Sequence, residues 1–469
     1  MGRNRKNSIN QQILDLIEAY EQSDVTSFLD QEAFHEIINY YEQEGKRDLA
    51  LKAARTACDQ YRYEPDFYQR EVMLLIQGMQ WEAAQSTLEK GLGFCPSDGD
   101  LILLKAELKI VLGQREEGRQ LLEDLKFMAD NEMLSDIHLV ESLAFEDEGE
   151  YGAVFDCLCE SLALNPENEP ALERFGLLMQ MEVNPEPYRD ALLSVIDAHP
   201  YAHLAWYYLG HAYAMLEEEE NAKEAYEYAF LSKPDFEEGY WEYADYCYDL
   251  GHYAQAEPVY QEIAEKFGTD SDLLLQMGNC LHFLDKHETA RSYLEQAAKL
   301  EPHNDEVIFR IGECYAAQEK WQKAVSYFQK AVRMQSEDEV YHHALANAAF
   351  ELGDSTTALH SYTQALELAP DNKQIWLDFA WFYVETLQLD KAIDLLEEAY
   401  ETLLDDEIQF AYIACLFAVG KRQQALQMLA DVLPESYEGV KWLLEWNLTL
   451  RTDRDVVALL SLYKPSPES

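Results

Sequence analysis

Small apolar residues recur along this chain at a fixed interval. Alanine stands at Ala222, Ala256, Ala290, Ala324, Ala358 and Ala392, each 34 residues after the last. A second small residue keeps the same step at Gly210, Ala244, Gly278, Gly312, Ala346 and Ala380, and large apolar residues keep it at Tyr226, Tyr260, Leu294, Phe328, Tyr362 and Leu396. Two small places per period let two helices approach closely, so each period predicts a pair of helices about 13 residues and ~20 Å long. One pair cannot bury its apolar face alone. Stacking of successive pairs makes the core.

Counted from a repeat starting at His203, further repeats start at Glu237, Ser271, Asp305, Glu339 and Lys373. Second-helix alanines follow at Ala229, Ala297, Ala331, Ala365 and Ala399, with Ile263 the one departure, and Pro234, Pro302 and Pro370 close alternate repeats. Going backward, Pro200 and Pro166 keep the step and predict repeats starting at Ser135 and Glu169. There Tyr188 replaces the expected alanine, and Pro185 and Pro187 crowd the preceding turn, which predicts a distorted second helix. A two-residue slip leads to repeats starting at Gly99, Pro65 and Gln31, where Ala84 and Ala50 restore the alanine; a one-residue deletion leads to a last repeat near Asp406, marked by Ala425. The expected total is about 12 repeats.

The stretch Trp206, Leu209, Gly210, Tyr213, Ala222, Tyr226, Ala229, Pro234 resembles the signature of the tetratricopeptide repeat, or TPR. The resemblance implies an all-α fold, a right-handed superhelical solenoid of helix-turn-helix repeats whose first helices line a concave groove. The expected organisation is a basic tip and capping helix over residues 1–30, degenerate repeats over 31–202, regular repeats over 203–405, a last repeat over 406–439, and capping helices with a short tail over 440–469. The first cap is read from Ile9, Ile13, Leu16, Ile17 and Tyr20, which share one helical face. The second is read as a helix pair, Val440 to Leu450 and Asp455 to Tyr463. With no linker interrupting the register, the array is read as continuous.

In the TPR family, groove-facing residues fall at the second, fifth, ninth and twelfth places of a repeat, a stripe on one helix face. The resemblance therefore implies a partner-binding groove that includes Tyr207, His211, Trp241, Asp245, Tyr248, Asn279, His282, Phe309, Glu313, His343, Asn347, Phe350 and Trp381, with Leu204, Leu275 and Leu377 beside them. Some TPR modules clamp a chaperone's C-terminal carboxylate with lysine, arginine and asparagine on this face. Here Asn279 and Asn347 hold the ninth place, but no cation joins them at these four places, which argues against that function. Aromatic anchors suit an extended peptide or an amphipathic helix instead. The bland alternative is that the same aromatics pack between repeats.

Charge narrows the partners. With 89 acidic and 36 basic residues the net charge is -53. Phosphate backbones need clustered lysine and arginine, and no basic stripe exists beyond Arg3, Arg5 and Lys6, so nucleic acid is not expected. Runs such as Glu217 to Glu220 read either as a solvated surface or as a field that steers a basic partner. No stretch of 18 or more apolar residues appears, so no membrane span is expected and the chain is read as cytoplasmic. The eight cysteines, scattered in helices, read as free thiols used as small core residues.

No chemistry rises above this background. His199, His203 and His211 lie near one repeat boundary, but His199 and His203 straddle a turn and not one helix face, so no metal is expected. No Gly-rich phosphate loop or nucleophile elbow is present, and no cofactor or catalytic residue is assigned. The reading is a non-catalytic adaptor that binds a protein or peptide with apolar anchors and basic flanks, and that is a monomer more readily than an oligomer. The alternatives are a self-assembling scaffold and an accessory subunit that positions the substrate of a separate enzyme.

Overall fold

Helix pairs build this molecule throughout the residues that its computed structural model describes, namely 17, 20, 29–146, 148–181 and 184–464. Contacts divide the chain into two compact units, Met1–Tyr240 and Trp241–Ser469. In the first, the pairs are α1 Gln31–Gln43 with α2 Arg47–Gln60, α3 Pro65–Gln77 with α4 Trp81–Phe94, and α5 Gly99–Val111 with α6 Arg115–Lys126. They continue as α7 Asn131–Glu146 with α8 Tyr151–Leu164, α9 Glu169–Met181 with α10 Glu186–Ala198, and α11 His203–Met215 with α12 Glu219–Ser232. The second unit holds most of α13 Glu237–Asp249, with α14 Tyr253–Lys266, then α15 Ser271–Phe283 with α16 His287–Leu300, and α17 Asp305–Ala316 with α18 Trp321–Met334. It goes on through α19 Glu339–Leu352 with α20 Ser355–Leu368, α21 Lys373–Glu385 with α22 Leu389–Leu403, and α23 Asp406–Ala418 with α24 Arg422–Val432. This is the all-α repeat solenoid class, with odd-numbered first helices and even-numbered second helices.

Each step of the period has a local cause. First helices start on Asp30, Asp98, Asp270, Asn304, Asp338, Asn372 and Asp405, whose side chains accept from backbone N–H groups of the first turn. Such caps satisfy otherwise orphaned donors and are worth about 1 kcal/mol each. Part of the acidity thus sits at helix starts. The turn between the two helices of a repeat needs a left-handed residue at its fifteenth place, supplied by Gly45, Gly113, Gly149, Gly251, Gly353 and Gly420. Met79, Glu217, Asp285, Glu319 and Leu387 adopt the same positive φ without being glycine.

The alanine ladder is the packing device. All six alanines from Ala222 to Ala392 are 0% exposed. Where the other small place is glycine, the second helix leaves no room for more: a Cβ on Gly210 would lie 2.4 Å from the Tyr226 ring, and one on Gly312 would lie 2.6 Å from Phe328. At the fourth place, Trp206 Nε1 donates to the carbonyl of Pro200 and Trp376 Nε1 to that of Pro370, both at 2.8 Å. These tryptophans tie α11 and α21 to the turns before them.

The structure corrects the sequence in several places. Glu186–Ala198 is an uninterrupted helix and not a distorted one, because Pro185 precedes it and Pro187 lies in its first turn, where no amide is required. Tyr188, at the alanine place, is buried against Phe155 and Phe175. The slip before Ser135 is absorbed by starting α7 four residues early, at Asn131. Cys95 caps α4 from outside the helix. At the C-terminal end, Val440 to Leu450 does not form one helix: α25 Val440–Trp446 breaks at Asn447 into a 3-10 turn, Leu448–Thr452, before α26 Arg454–Tyr463. Most of the expected cap over residues 9–20 lies outside the described residues; Ile17 is buried in the first core cluster and Tyr20 meets Phe34 edge-on.

Candidate functional site

In the first unit, α11 brings Tyr207 and His211 together, with ring centres 4.6 Å apart at right angles. Tyr207 also meets Tyr226 and Phe236. The Tyr226 hydroxyl lies 3.1 Å from His211 Nδ1, and burial lowers the imidazole to a pKa of about 4, so it is neutral at neutral pH. Tyr207 and His211 are half-buried, and Tyr226 is buried.

The second unit carries the longer row. On α13, Trp241 meets the Tyr260 ring edge-on and the Tyr260 hydroxyl donates to Asp245 at 2.5 Å. Burial raises the pKa of both Asp245 and Glu242, and the nearby Asp249 adds to the effect. Tyr248 contacts Phe283 and Tyr253, and burial pushes its hydroxyl up to about 12. On α15, Asn279 is buried; His282 lies 3.6 Å from the Cys314 sulfur and beside the His287 ring. Burial lowers the His282 pKa, and Glu313 opposes it.

Further along, Glu313 on α17 pairs with Arg310 at 2.9 Å. On α19, His343 Nε2 is 2.8 Å from Asp378, while Asn347 donates to the same carboxylate at 3.3 Å and accepts from the Tyr362 hydroxyl at 2.5 Å. Burial works against the Asp378 charge, but hydrogen bonds from His343 and Gln374 prevail and hold its carboxyl below the usual range. Phe350 meets Phe382 edge-on. Trp381 on α21 is 37% exposed and touches Trp446 of α25.

Two of the thirteen expected residues are not on an accessible face. Phe309 is buried, stacked on Tyr341 and packed against Phe328, so it is core. Asn279 is only 5% exposed. Within each unit the remainder are aromatic edges and hydrogen-bonded polar groups on the first helices, and those of the second unit form the longer row. A rule organises it: where the second helix offers a tyrosine fifteen residues on, its hydroxyl meets the ninth-place side chain, as in His211 with Tyr226, Asp245 with Tyr260 and Asn347 with Tyr362. Leu294 and Phe328 carry no hydroxyl. Opposite them, Asn279 sinks into the core and Glu313 turns to Arg310.

Reading only four places per repeat misses the sixth. Glu242, Arg310 and Asp378 all stand there, four residues after the second place and three before the ninth, so they belong to the same stripe. The visible signal was Arg310, which with Lys373 is one of two cations in the first helices of the regular repeats. Among the described residues, no group of three or more His, Cys, Asp or Glu is placed to hold a metal ion, and no helix is long and apolar enough to cross a membrane. Burial raises the thiol pKa values of Cys157 and Cys159 to about 11, which leaves both protonated.

Models of the tetratricopeptide repeat match residues 310–452 and 271–304. A curated relative, TPR repeat-containing protein YpiA of Bacillus subtilis (strain 168), is 23% identical over 197 residues. The matched segment is 42% of this chain and 38% of that protein's length. Among solved structures, YrrB, described as a TPR protein with an unusual peptide-binding site, is 18% identical with a TM-score of 0.34 over 40% of this chain and 96% of its own. MamA residues 41 to the end from Desulfovibrio magneticus RS-1 is 19% identical, with a TM-score of 0.34 over 36% of this chain and 97% of its own.

Proposed function

We propose that this chain, a tetratricopeptide-repeat protein, is a non-catalytic adaptor that takes a peptide or helix of a partner protein on the first-helix face of its second unit. The observation that carries the reading is the row itself. Trp241, Tyr248, Phe350 and Trp381 offer aromatic surface on the same stripe as polar groups already oriented by hydrogen bonds, an arrangement that gives a partner both anchors and register. Rigid aromatics lose little rotamer freedom on binding. At the α13 end, burial disfavours the charge of Asp245, and a lysine or arginine from the partner is the complementary group. Basic flanks on an apolar anchor follow from this, and the net charge of -53 steers such a partner inward.

Affinity capture from the source cell, followed by mass spectrometry, tests the proposal when it is run beside the Trp241→Ala, Phe350→Ala double variant. The expected result is a partner recovered by the parent protein and depleted at least tenfold by the variant at a temperature where circular dichroism shows both proteins fully folded. Equal recovery by both proteins overturns the placement.

A further inference from the structure

The last repeat already holds something on its first-helix face. Counted from Asp406, Phe410 takes the fifth place and Ala414 the ninth, the same stripe that carries Trp241 and Asp245 in α13. Phe410 is 0% exposed and Ala414 is 1% exposed. What covers them is the chain's own C-terminal segment. Trp442 of α25 packs on the Phe410 ring, and Asn447 Nδ2 donates to the Ala414 carbonyl at 3.4 Å. Just before α25, Gly439 crosses so near that a Cβ there would lie 2.0 Å from a Phe410 ring carbon. Leu443 is fully buried, and Trp446 reaches past the repeat to meet Trp381, the ninth-place residue of α21, with ring centres 5.3 Å apart and planes at 88°.

This segment is anchored from the other side as well. Arg422, at the start of the second helix α24, donates to both carboxylate oxygens of Asp453 at 2.6 and 2.7 Å and to Asp455 at 2.7 Å. Tyr437 Oη donates to the Leu460 carbonyl at 3.2 Å. The C-terminal segment is thus a strap drawn across the stripe and fastened beyond it.

From this we infer that α25 is a built-in ligand, and that the partner of the neighbouring open face is a short amphipathic helix of the same kind, with tryptophan or leucine anchors spaced like Trp442, Leu443 and Trp446. The inference rests on the adaptor reading and deepens it. Its support is continuity: Trp381 meets Trp446 edge-on while 37% of it stays exposed, and Phe350 of α19 packs on Phe382 of the same helix α21, so apolar surface continues from the strap to the neighbouring repeat. Spacing of i and i+4 puts Trp442 and Trp446 on one helix face, and an incoming helix with that spacing presents two rings to Trp381 and Phe350. Residues 436–448 of the strap bring one lysine, Lys441, against Glu438 and Glu445, whereas the face they lie on belongs to a chain with 89 acids and 36 bases. A partner helix that carries lysine in place of those glutamates fits the charge better.

The test uses the full chain and a labelled synthetic peptide of residues 436–448. Fluorescence anisotropy is expected to show saturable binding, weakened at least tenfold when Trp446 of the peptide is Ala and likewise by Trp381→Ala or Phe350→Ala in the protein. A peptide with Glu445→Lys is expected to bind several-fold more tightly at low salt, with the advantage shrinking as salt rises. Circular dichroism is expected to show helix gained by the peptide on binding. Absent binding overturns the inference, as does binding lost with Phe410→Ala but indifferent to both Trp381→Ala and Phe350→Ala. An endogenous partner that depends on Trp241 and Phe350 but binds in extended form also overturns it, while leaving the adaptor function standing. Melting curves of each protein variant separate lost binding from lost folding.

Discussion

The ninth place of the repeat differs between the open repeats and the covered one. It is Asp245, Asn279, Glu313 and Asn347 in α13 to α19, and Ala414 in α23, where α25 lies on it. Trp381, at the border, is half of each. At this place Asp245 and Asn347 meet a tyrosine hydroxyl and Glu313 meets Arg310, whereas the small apolar Ala414 lets another backbone come close. Burying an unpaired amide or carboxylate under a helix would cost several kcal/mol, a cost that the alanine at the ninth place of α23 does not carry. The lesson is that the packing ladder and the stripe beside it are separately specified: the alanines hold the same place in open and covered repeats alike.

The largest expected effect bears on the polar ninth place itself. His211 is depressed to a pKa of about 4 by burial, against about 6.5 in an unfolded chain. A base lowered in the folded state makes the unfolded chain bind more protons between these values, so stability falls as the pH drops from about 6.5 to about 4. At about 1.36 kcal/mol per pH unit, the loss amounts to at most about 3.4 kcal/mol. Denaturant titrations of the parent and His211→Gln proteins at a series of pH values check this, with a shallower fall expected for the variant.

Next in size is the ladder. Ala324→Leu pushes three heavy atoms into a place with no exposure and is expected to cost ~1 to 3 kcal/mol. An unchanged melting temperature would mean that the ladder is not the packing device. The smallest effect isolates the tyrosine that orients a ninth-place group. Tyr362→Phe deletes only the hydroxyl that donates to Asn347 and should cost about 0.5–1.5 kcal/mol. The Asn347→Ala background should abolish most of that difference, a double-mutant cycle that shows whether the two groups act as a pair.

The helix pairs were legible in the sequence because the small places tolerate nothing larger, as Gly210 against Tyr226 shows. Eleven of the twelve repeat starts fall where the register puts them, and α7 alone moves, since a slip can be absorbed by lengthening a helix without disturbing Ser135 and Ser161 in the core. The candidate face was legible only in outline. Phe309 and Asn279 sit on the right stripe, yet both are buried, Phe309 by neighbours such as Tyr341 that the stripe does not reveal. Arg310 and Asp378 were missed because the family's four places omit the sixth. The strap was beyond reach from sequence, since Val440 to Leu450 reads as one more helix until Gly439 and Asn447 are seen to turn it across Phe410 and Ala414.

Amide hydrogen exchange on the full chain, with and without its captured partner, tests most directly whether the first-helix face is where the partner docks. The expected result is added protection in α13, α15, α17, α19 and α21, with the second helices α14 to α22 unchanged. Protection confined to the second helices would contradict it.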